Sequence, residues 1–101
     1  MKGCDRMHIS EFQDIMCKLY IKKDKKRGIN GTIIWLEEEV EELKEAIENG
    51  NTEAVQNEFA DVLAWLASLA NMVHIDLEKA TISKYNNKCP KCQNLPCNCK
   101  E

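Results

Sequence analysis

Glycine and proline are scarce in this 101-residue chain, four and two respectively, so few positions can interrupt regular structure. Neither charge sign dominates: 14 Lys plus Arg oppose 17 Asp plus Glu, a net charge of −3. That balance excludes a dedicated nucleic-acid-binding domain, whose affinity would come from a positive field over phosphates. Long apolar runs are missing as well. The longest, residues 62–70, is interrupted by Ser68 and falls far short of the ~20 residues that span a bilayer. No membrane partner is therefore expected. No apolar segment of a secretory signal follows Lys2, which points to a cytoplasmic protein. What is present, 44% hydrophobic and 31% charged residues, fits one globular domain rather than a disordered chain.

Between the few breakers, apolar residues recur at three and four, the period of helices. The fold class is all-α. A first helix is expected to start at Ser10, within a capping-box pattern Ser10-Glu11-Phe12-Gln13. It would present Phe12, Met16 and Leu19 on one face and end near Tyr20 to Lys23. The basic segment KKDKKRGING, residues 22–31, reads as a surface loop able to steer an anionic ligand. A second helix is expected from Asn30 or Thr32 to Glu48, stopped by Asn49-Gly50. Asn51-Thr52 caps a third, which reaches about Val73, and Asp76 caps a short fourth that ends near Asn86. The second and third form a long antiparallel hairpin at the centre of a four-helix bundle. Residues 1–88 make the helical domain and 89–101 a cysteine-rich tail.

Sorting the acids of the second helix by angle, at about 100° per residue, separates two groups. Opposite the apolar stripe Leu36, Val40, Leu43 and Ile47 lie Glu38, Glu41 and Glu45, whereas Glu39 and Glu42 run along one edge of it. The third helix repeats this arrangement: Glu58 and Asp61 border a stripe of Val55, Phe59, Val62, Leu66, Leu69 and Val73. Carboxylates on an otherwise buried helix are costly to ionise without a cation or donors. Facing each other across the hairpin, Glu39, Glu42, Glu58 and Asp61 can form an oxygen-only cluster suited to Mg²⁺ or Mn²⁺. The competing reading is a salt-bridged border. A di-iron bundle would need Glu-x-x-His motifs, which neither pair supplies.

The order Glu39-x-x-Glu42, a hairpin, then Glu58-x-x-Asp61 resembles the E-x-x-E…E-x-x-D signature of MazG-like nucleotide pyrophosphohydrolases, in the all-α NTP pyrophosphatase superfamily. WLEEEVEELKEAI, EFADVLAWLASLAN and HIDLEKATISKY are similar to that family's second, third and fourth helices, so the likeness spans roughly residues 10–88. The resemblance implies Mg²⁺-dependent hydrolysis of a nucleoside triphosphate to monophosphate and pyrophosphate, with the four carboxylates holding the metal. It also implies nucleotide contacts from Lys84, Asn87 and Lys88, with Lys88 standing where the family usually has Arg. Trp35, on the Glu39/Glu42 side of its helix, is a candidate wall for the base, and Trp65 a candidate core residue.

A chain this short buries only roughly 60–65% of its unfolded surface, and the third helix is apolar almost all round. A homodimer or dimer of dimers is expected, as family members commonly form. In the tail, Cys89-Pro-Lys-Cys92 and Cys97-Asn-Cys99 suggest a structural zinc site, with disulfides or free thiols as the alternative. Cys4 has no partner in sequence, and Cys17 reads as a small core residue. A non-enzymatic helical interaction module with a zinc-binding tail is the rival to the enzyme.

Overall fold

The structure is a computed structural model that describes residues 6–100, so Cys4 lies outside the described residues. Four helices follow one another: α1 (Ile9–Arg27), α2 (Ile29–Asn49), α3 (Thr52–Met72) and α4 (Leu77–Lys84). No strand occurs among the described residues. α3 is the central element, packed against α2 on one side and α1 on another, with α4 lying on α1.

The ends of the hairpin follow the sequence signals. α2 stops where Gly50 turns left-handed (φ 72°) and its N–H reaches the carbonyls of Ala46 and Ile47. The Asn51 side chain accepts from the Ala54 N–H, and Asp76 does the same for Lys79 at the start of α4. α3 ends without glycine. His74 takes the left-handed conformation (φ 61°), and the Ile75 N–H returns to the Ala70 carbonyl.

The first half of the chain departs from expectation. α1 is capped by His8 rather than Ser10, with the Glu11 carboxylate accepting from the His8 N–H at 2.6 Å. It also continues through the basic segment to Arg27, so the expected ten-residue loop shrinks to Gly28 alone. Lys and Arg are good helix formers, and Lys25, Lys26 and Arg27 oppose the negative C-terminal end of the helix dipole. Gly28 makes the corner in one residue because its φ of 88° is open to glycine. Gly31 serves a different need: a Cβ there would stand 2.9 Å from Arg27 Cγ.

The expected apolar stripes supply only part of the seam between α2 and α3: Leu36, Leu43, Val55, Val62 and Leu69 lie on it, and the rest of the stripes do not. Thr32, Leu36, Glu39, Leu43 and Ala46 line α2 at the protected positions, with Val55, Glu58, Val62, Trp65, Leu69 and Met72 on α3. Both sets step by alternating threes and fours, the spacing of an antiparallel coiled-coil seam. One residue further on, Ile33, Val40 and Ile47 on α2, and Phe59, Leu66 and Val73 on α3, are exposed. Because the helices run antiparallel, equal offsets turn both rows to the same side of the hairpin and leave one continuous apolar face. On α1, Gln13, Met16 and Asp24 are buried while Leu19 is exposed. The Gln13 amide fastens α1 to the end of α3, donating to Asn71 and the Ile75 carbonyl and accepting from the Leu77 N–H.

Candidate active site

Two seam positions, Glu39 and Glu58, and Asp61 one turn beyond Glu58 bring three carboxylates together. One oxygen from each of Glu39, Glu58 and Asp61 lies within 4.8 Å of the other two. Glu39 Oε1 and Glu58 Oε1 are buried without a hydrogen-bond partner, a costly arrangement for ionised groups. The cost is visible in Glu39, whose carboxyl is pushed up to about 7 by burial, by its contact with Glu58, and by the negative charges of Glu42 and Asp61. Glu42 is exposed one turn from Glu39 and stands outside this tight set. The expected four-carboxylate cluster is thus a triad with a fourth acid beside it.

Asp61 also forms part of the wall of a cavity of about 270 Å³ between α1 and α3, together with Tyr20, Lys23, Asp24, Arg27 and Trp65. Arg27 organises this wall. Its Nη1 donates to Asp24 Oδ1 at 3.0 Å and to Thr32 Oγ1 at 3.1 Å, and its guanidinium lies 4.6 Å from the Trp65 ring centre. Thr32 and Asp24 are the largest fully buried side chains among the described residues, although both are polar. Thr32 Oγ1 donates to the Gly28 carbonyl, which ties the α1–α2 corner to the same group. Asp24 Oδ2 is buried and unpartnered at the cavity.

The two tryptophans stack at 5.7 Å with planes 9° apart. Trp65 is half-buried and lines the cavity, which corrects its expected place in the core, while Trp35 is exposed and stacked on it. Cys17, expected in the core, is half-buried. Lys84, Asn87 and Lys88 are all exposed. Lys84 Nζ sits over the Tyr85 ring, and Asn87 and Lys88 line a cavity shared with the tail rather than the one beside Asp61. Among the described residues, the cations that line the cavity with Asp61 are Lys23 and Arg27. The sequence held their charge in plain view, but their place depended on α1 running on to Arg27.

The tail gathers a second set of ligand atoms, the sulfurs of Cys89, Cys92, Cys97 and Cys99, again within 4.8 Å of one another. The N–H groups of Asn98 and Asn94 lower the Cys92 thiol to about 6, and those of Cys92 and Lys91 lower Cys89. Hydrogen bonding of the Cys99 thiol to Cys97, Cys89 and Cys92 keeps its proton on and pushes it up to about 12, so four thiolates do not coexist unaided.

No single helix among the described residues is long and apolar enough to cross a membrane. No curated protein matches the chain. The family model for the MazG nucleotide pyrophosphohydrolase domain matches residues 27–93, from the last residue of α1 into the tail.

Proposed function

The chain belongs to the MazG nucleotide pyrophosphohydrolase family, and from that premise we propose that it hydrolyses a nucleoside triphosphate to the monophosphate and pyrophosphate with Mg²⁺ or Mn²⁺. The observation that carries this reading is the convergence of Glu39, Glu58 and Asp61, with two buried, unpartnered oxygens, at the rim of a cavity lined by cations and aromatics. An all-oxygen donor set of this kind fits a hard divalent cation. Glu39, Glu58 and Asp61 would hold it, with exposed Glu42 within a turn's reach. When bound, the cation would neutralise charge on the triphosphate and promote attack by water at phosphorus.

The remaining work falls to this chain's side chains. Lys23 supplies positive charge beside Asp61, where the triphosphate would run. Trp65 offers an apolar wall for the nucleoside, and the free oxygen of Asp24 an acceptor for a base N–H. Arg27 holds Asp24 and Trp65 in place through the contacts described above, so binding meets a preorganised wall. Lys84, Asn87 and Lys88 would contact nucleotide from a segment remote from this cavity, an arrangement compatible with a site completed between copies.

A second copy is also what the exposed face of α2 and α3 fits. Val40 is 47% exposed, Ile47 54% and Phe59 56%. The chain exposes 8044 Å², against about 5,800 Å² for a compact monomer of this mass. Its radius of gyration of 16.0 Å likewise exceeds the about 13 Å of a compact domain this long. Burying the row against its symmetry mate would build a bundle of four long helices from two hairpins.

The deciding experiment measures pyrophosphate and monophosphate release from a panel of NTPs and dNTPs with Mg²⁺ or Mn²⁺, for wild type and Glu58→Gln. Metal-dependent release that disappears in Glu58→Gln supports the proposal. Absence of release from every nucleotide overturns it and leaves the interaction module as the better reading.

A further inference from the structure

The four thiols of the tail are not needed for anything proposed above, and the family match ends at residue 93, before Cys97 and Cys99. From their geometry we propose that Cys89, Cys92, Cys97 and Cys99 bind one Zn²⁺ in a closed tetrathiolate site that folds the C-terminal segment. A tetrahedron with Zn–S bonds of ~2.3 Å has edges of about 3.8 Å. Cys89 Sγ and Cys99 Sγ stand 3.7 Å apart, and all four sulfurs lie within 4.8 Å of one another. That is the arrangement of four ligands around one centre. A disulfide would instead draw two sulfurs to ~2.05 Å and separate them from the other pair.

The backbone around the thiols is shaped for the same purpose. The Cys89 N–H donates to the Asn94 carbonyl and the Gln93 N–H to the Cys89 carbonyl, closing a tight turn in which Gln93 is left-handed (φ 65°). On the other strand of the knuckle, the Asn98 N–H donates to Cys92 Sγ at 3.2 Å and the Cys99 N–H to Cys97 Sγ at 3.3 Å. Donors aimed at sulfur stabilise thiolates and orient them, which is the supporting role of the outer shell at a metal site. Lys88, Lys91 and Lys100 lie within the same stretch and offset the excess negative charge of four thiolates on one divalent ion.

Energetics point the same way. Between residues 88 and 100 only Cys89, Pro90, Cys92 and Cys99 are even half-buried, so the segment has no apolar core. Ordering it costs backbone entropy at every residue, which exposed hydrogen bonds do not offset. A cross-link must do so, and a thiolate-bound Zn²⁺ commonly supplies folding energy of this kind. With four protein ligands the site has no open position for substrate, which makes it structural. Sulfur donors also set it apart chemically from the oxygen donors of the body. The knuckle shares a cavity with Tyr85, Asn87 and Lys88, so the metal that closes it also fixes the path of the chain leaving α4.

The test uses the full-length chain purified under reducing conditions, with zinc measured by elemental analysis and native mass spectrometry. The expected result is one Zn²⁺ per chain, four thiols protected from alkylation until the metal is removed, and Co²⁺ exchange giving the charge-transfer and ligand-field absorption of tetrahedral cobalt tetrathiolate. Cys92→Ser and Cys97→Ser should lose the metal while keeping the helical circular dichroism, and Glu58→Gln should keep it. Overturning results would be substoichiometric zinc after reconstitution with all four thiols freely alkylated, or a mass four hydrogens lower that records two disulfides. Neither result depends on whether the body hydrolyses nucleotides, so failure of the zinc site and failure of the proposed activity are read separately.

Discussion

The body and the tail each gather a cluster of candidate metal ligands, by opposite means. Glu39 and Glu58 come from different helices and meet because seam positions place them there, whereas four cysteines within eleven residues meet because short turns fold them onto one point. The helical scaffold forms independently of the carboxylates, and they are strained by it, as the raised Glu39 carboxyl and two unpartnered oxygens record. The thiols have no scaffold other than one another. A binding site imposed on a stable framework stores repulsion that a cation relieves, while a site without a framework needs its cation in order to exist.

The largest expected effect probes the first half of that contrast. Replacing an outer-shell partner at a metal site costs 10–100-fold, so removing a ligand directly, in Glu58→Gln, should lower pyrophosphate release by more than about 100-fold while the circular dichroism spectrum stays helical. Parallel kinetics and spectra check this, and near-wild-type turnover would detach the triad from catalysis. Next, if the tail holds zinc as proposed, a chelator should expose residues 89–100 to amide exchange and proteolysis but leave α2 and α3 protected. Loss of protection in both regions would mean that they fold as one unit.

Third, Asp24→Ala removes the buried partner of Arg27 and should destabilise the body by about 2 kcal/mol, somewhat below the usual cost for a fully buried pair because Arg27 keeps some solvent contact. Denaturant titration reads this directly. Fourth comes pH. Glu39 holds its proton in the folded state up to about 7, and an unfolded glutamate does so only to ~4.3. Glu39's contribution to the stability of the metal-free body should therefore be complete below that lower value and be lost as pH rises through about 7. Added Mg²⁺ should raise Tm more at pH 8 than at pH 5, and an equal shift at both would remove the triad as the binding site. The smallest net effect is expected for Gly31→Ala: gained helix propensity of about 1 kcal/mol is offset by a Cβ that stands 2.9 Å from the Cγ of Arg27, whose guanidinium is already held in place.

What the sequence conveyed follows a physical divide. Caps such as Asn51, Gly50 and Asp76 act over three or four residues and were legible, as were Glu39, Glu58 and Asp61 through their angle on each helix. The course of α1 through KKDKKR was not, because a helix made of solvated lysines carries no apolar period. The seam was read only in part, for a subtler reason. Angle analysis assigns the most apolar row to the nearest partner, yet Val40, Ile47, Phe59 and Leu66 face away from the rest of their own chain, and Thr32, Glu39, Ala46 and Glu58 take the seam. The stack of Trp35 on Trp65, the Gln13 clamp and the meeting of Arg27 with Asp24 and Thr32 rest on how the chain folds back, which no local pattern encodes.

Arg27 gives the architecture a further property. One guanidinium spans the single-residue corner between α1 and α2 and roofs the cavity beside Asp61, so corner and cavity form one mechanical part. A substitution that reshapes the cavity to admit a different base must also respect the angle at which two long helices diverge. On the proposed function, substrate preference is therefore easiest to change at Tyr20, which touches the cavity without bracing the corner, and hardest at Arg27, which does both.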